Sequence, residues 1–218
     1  MNGRLQRREQ LTEVERAAML GLMHEYYCGV TSAQFERDLA EKDWVILLEA
    51  AGRVHGFSTL QVYVSRSVRV VFSGDTIVHR AAWGSSALAR TWLEVVRQLQ
   101  PEYWLLITSG FRTYRFLPVF WKEFWPRHDS PAAPALLCEL ARERFGQQYD
   151  PATGIVRVAA PQVLRGELRE IPVSRLTNRH VEFFARANPG HVRGDELVCL
   201  CPLTSANQTL AGRRLVAL

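Results

Sequence analysis

The stretch "VRVVFSGDTIVHRAAWGSSALARTWLEVV", residues 68–96, passes from a β-rich segment into an amphipathic helix with only a few small residues between them. Up to Val78 the residues are largely β-branched or aromatic, as in a strand; from Ser85 onward Leu88, Trp92, Val95 and Leu99 recur at helical spacing. A strand that ends against the start of a helix leaves unpaired N–H groups at the positive end of the helix dipole, where phosphate or pyrophosphate binds. Here Gly84 permits close backbone approach, Ser85 and Ser86 can cap or donate, and Arg80 adds positive charge. A tight, well-capped turn with no ligand uses the same residues equally well.

Upstream, residues 44–50, 54–64 and 67–78 read as three strands joined by turns at Gly52-Arg53 and Ser65-Arg66, an antiparallel meander. Two helices precede them, over residues 11–27, where Thr12 and Glu15 form a capping box, and over residues 32–41. Downstream come a buried strand at 102–108, an aromatic helical stretch that Pro118 divides or kinks, and a helix over 131–146. Strands at 154–159 and 195–202 with a helix at 177–187 between them complete the reading. This order predicts an α+β fold: a central mixed, mostly antiparallel sheet flanked by helices. Residues 1–130 form its core, and residues 131–218 form a C-terminal extension of helix and strand packed on the same domain.

With 218 residues, 47% hydrophobic and 22% charged, the chain has the composition of one folded domain and neither a disordered nor a fibrous protein. No apolar run approaches the ~20 residues of a membrane span, and the first residues lack a secretory signal pattern, which predicts a cytoplasmic protein. The net charge of +5 comes almost wholly from arginine, Lys42 and Lys122 being the two lysines. It suits an anionic ligand or an acidic partner, and its dispersion argues against nucleic acid. Cys28, Cys138, Cys199 and Cys201 have no metal-ligand spacing, so no metal is predicted; Cys199 and Cys201 read as small apolar residues on one strand face.

The element order and the turn after Val78 resemble the GNAT superfamily of N-acyltransferases over about residues 11–125. In that superfamily the fourth strand leads into a loop of pattern Gln/Arg-x-x-Gly-x-Gly/Ala whose amides grip the pyrophosphate of acyl-CoA. Here Arg80 takes the first place, with Trp83 and Ser85 in the glycine places and Gly84 between them; moved by one, Gly84 is the first glycine, Ala81 the basic place and Ser86 the last. The resemblance therefore implies a cofactor site at Arg80, Trp83, Gly84, Ser85 and Ser86. The missing glycine leaves room for an acyl-carrier-protein donor or for a degenerate, non-catalytic site. It also implies that the pantetheine arm lies in a gap beside the fourth strand, against the backbones of Ile77 and Val78.

For the chemistry, strand alternation places Arg69, Val71, Ser73, Asp75, Ile77 and His79 on one face. Asp75 is the first candidate for the base that takes the amine proton, His79 an alternative and Glu49 a weaker one; Asp75 also reads as a bulge or turn residue after Gly74 that only satisfies backbone donors. The resemblance implies that Tyr114 protonates the leaving thiolate, while its aromatic surroundings read equally as core. Arg112, Arg115, Lys122 and Arg127 suggest a face for an acidic acyl-carrier protein. The aromatics between them suggest a cavity for an acyl group longer than acetyl, similar to the acyl-homoserine-lactone and long-chain N-acyl amino acid synthases. The expected function is N-acyl transfer from acyl-CoA or an acyl-carrier protein to an amine of a small molecule or protein; the alternative is a non-catalytic binding or regulatory protein of the same fold.

Overall fold

The computed structural model describes residues 1–130 and 132–216. In chain order its strands are β1 (Asn2–Arg7), β2 (Tyr27–Cys28), β3 (Trp44–Ala50), β4 (Arg53–Ser65), β5 (Val68–Val78), β6 (Tyr103–Thr108), β7 (Tyr149–Asp150), β8 (Ile155–Val156), β9 (Val163–Leu164) and β10 (Glu196–Pro202). The helices are α1 (Glu13–Tyr26), α2 (Ser32–Ala40), α3 (Ala87–Leu99), α4 (Phe111–Tyr114), α5 (Phe116–Phe120), α6 (Ala135–Phe145), α7 (Arg179–Ala187) and α8 (Leu210–Val216). Eight strands make one sheet in the order β1-β3-β4-β5-β6-β10-β8-β7, and β2 pairs with β9 in a small second sheet. Within the large sheet β5 and β6 are parallel and every other pair is antiparallel. The fold is therefore α+β, a mostly antiparallel mixed sheet with helices on both faces.

The predicted meander and early helices are present, and the capping box is made: the Glu15 amide donates to Thr12 Oγ1 and the Thr12 amide to the Glu15 carboxylate. β1 was not anticipated, because "NGRLQR" has one apolar residue and no alternation; it pairs along the whole outer edge of β3. The aromatic stretch divides at Arg115, because Pro118 has no N–H to give the Tyr114 carbonyl, so α4 stops there and α5 starts afresh. α6 begins at Ala135; the predicted helix start at residue 131 lies outside the described residues, as do residues 217 and 218. β10 sits inside the sheet, hydrogen-bonded to β6 on one side and β8 on the other.

One face of the sheet buries Val45, Leu47, Phe57 and Ile77 against α1 and α2, and Val70, Phe72, Leu105, Val198 and Leu200 against α6. The other buries Ile46, Leu60, Val71, Trp104, Leu106 and Cys199 against α3, α4, α5 and α7. These sets reveal a phase change within β5. Val71 and Ser73 face α3, with the Ser73 hydroxyl accepting from Trp104 Nε1 at 2.8 Å, whereas Ile77 faces α1. The cause is a bulge: Leu60 pairs with Ser73 and Ser58 with Thr76, so Gly74 and Asp75 together oppose Thr59. The single face predicted for Arg69, Val71, Ser73, Asp75, Ile77 and His79 is thus corrected. The extra residue leaves the first three facing α3 and turns the last three toward α1 and α2.

The bulge requires glycine at its first position. A Cβ on Gly74 would lie 2.8 Å from both Lys42 Cε and Thr59 Oγ1. Lys42 can yield at its flexible end, but Thr59 is held in a strand and is 1% exposed. Gly74→Ala should therefore lower stability by about 1–3 kcal/mol, the usual cost of overpacking. The check is the urea midpoint, with Gly84→Ala, where a Cβ meets nothing within 4 Å, as the neutral control.

Candidate functional site

Parallel pairing of β5 with β6 runs from Val70↔Tyr103 to Ser73↔Leu106 and stops at the bulge. Beyond it β5 stays with β4 as far as Gly56↔Val78, and β6 stays with β10 as far as Leu197↔Thr108. The sheet thus splits into two wings. A cavity of about 1510 Å³ lies at the split, bordered by Gly74–Val78 on one side and Ile107–Phe111 on the other, and is lined by residues from both faces of the sheet.

On the α1/α2 side of the split, Asp75 projects from the bulge near Lys42 and Asp38, and Glu196 stands at the start of β10 on the opposite wing. All four line the cavity. Burial pushes the Asp75 carboxyl up to about 6, against the pull of the Lys42 ammonium and with the help of Asp38. Burial, then the charges of Asp75 and Asp38, push Glu196 up to about 8. Lys42, 6% exposed, donates from Nζ to the Asp38 carbonyl at 2.8 Å; burial lowers its pKa and Asp75 opposes that shift. Tyr27 also lines the cavity, its hydroxyl held protonated by burial and by the charges of Asp75 and Glu196. Two carboxyls in one cavity that influence each other and titrate near neutrality can accept a proton and pass it on.

On the α3 side the cavity is aromatic, lined by Trp92, Trp104, Phe116 and Phe120, with the Trp92 and Trp104 rings 4.2 Å apart between centroids. At its rim lies the turn that leads into α3. Two of the predicted anion-binding amides are spent within the turn: Trp83 N–H donates to the Arg80 carbonyl and Ser85 N–H to that of Ala82. Among the described residues, no protein acceptor reaches the amides of Gly84, Ser86, Leu88 or Ala89, so the open donors lie slightly further into the helix than predicted. Ser85 uses its hydroxyl to accept from the Ala87 amide, and Arg80 pairs with Glu167 at 2.7 Å.

Several sequence-based assignments move. The His79 amide donates to the His55 carbonyl, so alternation turns the Ile77 backbone toward β4 and presents those of Thr76 and Val78 to the split. The Val78 carbonyl there already accepts from Trp83 Nε1 at 2.7 Å. His79 caps the short turn at Arg80–Ala82 through Nδ1 and lies 3.4 Å from Glu25, and it does not border the cavity. Tyr114 is fully buried on the α3 face, its hydroxyl donating to the Pro126 carbonyl at 2.9 Å among Phe124, Phe183 and Phe184. Tyr114 and Asp75 therefore face opposite sides of the sheet, and their joint catalytic assignment fails. Glu49 is bound by Arg4 of the edge strand β1 at 2.8 Å. Of the four basic residues offered to a carrier protein, Arg112 and Arg115 line the cavity, Lys122 donates to the Ala206 carbonyl, and Arg127 pairs with Asp129. They do not form one free surface.

Sequence reasoning missed Glu196, Lys42 and Tyr27. An acidic residue directly before the apolar run "LVCLC" carried a signal for the first, and a lone lysine among arginines for the second. Among the described residues, no cluster of three or more His, Cys, Asp or Glu side chains is placed to hold a metal ion, and no helix is long and apolar enough to cross a membrane. All four cysteines are free.

No protein-family model and no curated protein matches the sequence. Among solved structures, the chain is similar to Rv2747 from Mycobacterium tuberculosis in complex with CoA and NLQ, at 14% identity and a TM-score of 0.45, over 92% of this chain and 99% of that one. It is similar to a chain of the NatC complex bound to Gag peptide and CoA, at 10% identity and a TM-score of 0.43, over 94% and 100%. A third likeness is to a conserved protein from Enterococcus faecalis V583 described as a probable N-acyltransferase, at 14% identity and a TM-score of 0.42. That match spans 58% of this chain and 37% of the other's length. Likenesses this distant assign neither activity nor ligand.

The raised carboxyls carry a pH signature. Asp75 and Glu196 hold their protons to higher pH in the folded chain than in the unfolded one, where carboxyls titrate near 4. The folded state therefore binds more protons between pH ~4 and the folded values of about 6 and about 8, and stability falls as pH rises through that window. Glu196→Gln, neutral throughout, should gain thermal stability over the wild type as pH rises from 4.5 to 8 and hold a constant advantage above that. Melting curves of both proteins over this range check it; parallel curves would show that Glu196 is not held protonated.

Proposed function

We propose that this protein is an N-acyltransferase: an acyl thioester enters the split between β5 and β6 from the α3 side and meets an amine arriving from the α1/α2 side. The observation that carries this reading is the single cavity at the split, lined from both faces of the sheet, with Asp75 at the bulge beside it. An extended, amide-bearing arm suits the split, because Thr76 and Val78 turn their backbones into it and no neighbouring strand covers them. The open amides of Gly84, Ser86, Leu88 and Ala89 suit a phosphorylated tail, so we take the donor to be acyl-CoA rather than an acyl-carrier protein. The aromatic lining of the α3 side supports an acyl group longer than acetyl. In this reading residues 1–130 supply the donor half, and the segment beyond residue 131 supplies Glu196 on the second wing.

Asp75 and Glu196 together take the proton that the amine loses as its nitrogen bonds to the acyl carbon and the carbon–sulfur bond breaks. With Tyr114 locked in the core, Tyr27 is a cavity hydroxyl placed beside that pair; it can relay the proton, giving its own to the departing sulfur as it takes one from the carboxyls. The acceptor is an amine on a small molecule or a protein.

Calorimetric titration with CoA, and thiol release from acetyl- and octanoyl-CoA offered a panel of primary amines, test the reading. CoA should bind and octanoyl-CoA should be the better donor. Asp75→Asn should reduce turnover by about 10²–10⁴, the range of general base catalysis, with CoA affinity unchanged. Gly84→Val should weaken CoA binding without changing the melting temperature, since its side chain would enter open space beside the free amides. Binding of CoA without thiol release from any amine would favour the non-catalytic alternative, and absence of CoA binding would refute the proposal.

A further inference from the structure

Arg80 and Arg112 flank Trp83 in the turn that leads into α3, Arg175 is close enough to influence Arg112, and Glu167 answers Arg80 alone. The Trp83 indole, 45% exposed, is pinned by its bond to the Val78 carbonyl. The Arg112 guanidinium lies 5.0 Å from its ring centroid and 4.7 Å from that of Phe111; the Arg80 guanidinium lies 5.5 Å from the Trp83 ring. Arg80 is neutralised by Glu167. Arg112 and Arg175, both bordering the cavity, have no carboxylate within 4.0 Å and make no hydrogen bond through their guanidinium groups among the described residues. Burial, then the charge of Arg175 and that of Arg80, depress the Arg112 pKa. Neighbouring like charges without a carboxylate partner are a cost that an anion would relieve. The Trp83 and Phe111 rings attract the Arg112 guanidinium at cation–π distance, and its planar fork suits two-point recognition of a phosphate.

We infer that Arg112 and Arg175, braced by Trp83, form a subsite for a terminal phosphate monoester on the nucleotide end of the donor, the 3′-phosphate of coenzyme A. This rests on the acyl-CoA reading above and sharpens it. The open amides of the turn are the partners for the diphosphate, and the arginine pair reads the group by which coenzyme A differs from its 3′-dephospho form and from a carrier-bound phosphopantetheine. Arg112 lies against two rings, and Arg175 enters from the short turn Val173–Arg175, so the two sides of the subsite come from distant parts of the chain.

The test is calorimetric binding of CoA and 3′-dephospho-CoA to the full chain, in the wild type and in Arg175→Gln and Arg112→Gln. The wild type should bind CoA at least about tenfold more tightly than 3′-dephospho-CoA, the scale of a charge-assisted bond to phosphate. Each variant should narrow that ratio by weakening CoA while leaving 3′-dephospho-CoA as it was. Equal wild-type affinities, or variants that weaken both ligands alike, would overturn the subsite while leaving the acyl-CoA reading in place. If neither ligand binds, both fall. Arg175 is exposed and makes no ion pair, so its variant decides the matter even if Arg112→Gln loses the ring stacking and folds less well.

Discussion

One extra residue in β5 governs the rest of the molecule. Gly74 and Asp75 oppose Thr59 alone, and after that point the strand changes phase and parts from β6. A bulge strengthens local twist and leaves a residue unpaired. Both effects are used here: the twist carries β5 away from its parallel neighbour, and the unpaired position aims a carboxylate at the opening. The opening persists because β4 and β10 keep their own hydrogen bonds to the diverging strands, so neither wing is left as a bare edge over its whole length.

The two sides of the opening differ in chemistry because they are packed by different helices. The α1/α2 side brings polar residues from α2 and the turn after it, so Asp38, Lys42 and Asp75 meet where water is scarce and none keeps its ordinary affinity for a proton. The α3 side brings large rings and a rim of arginines. Both environments adjoin one cavity, so a hydrophobic chain with an anionic tail and a cationic amine are each offered the side that suits them.

The sequence was most legible where a residue's role is local. The period of the meander, the Thr12–Glu15 cap, the division forced by Pro118 and the strand-to-helix turn were all readable, because each follows from neighbours within a few positions. The bulge was legible only as an alternative: Gly74-Asp75 suggested a bulge or a turn, but "FSGDTIV" also alternates on paper, and only pairing with Thr59 shows that β5 has a residue too many. That single miscount moved the backbone of Ile77 out of the split and gave Ser73 the wrong neighbours. Tyr114 illustrates another limit, since an aromatic hydroxyl looks the same in sequence whether it faces a cavity or donates to the Pro126 carbonyl in a closed core. Glu196 was invisible as a partner of Asp75 because more than half the chain separates them and only the sheet order brings them to one opening.

That separation has a consequence for how the molecule is made. β10 is the strand that gives β6 its second neighbour, and it is also the source of the carboxyl that shares the cavity with Asp75. During synthesis the meander, α3 and β6 can assemble early, yet β6 must wait with one side uncovered until residue 202 has emerged. The nascent protein therefore passes through a stage with five of the eight strands assembled, an exposed apolar strand, "YWLLIT", and no finished site. Chaperone capture and misassociation should concentrate at that stage, and docking of β10 ends the exposure and completes the opening in one event.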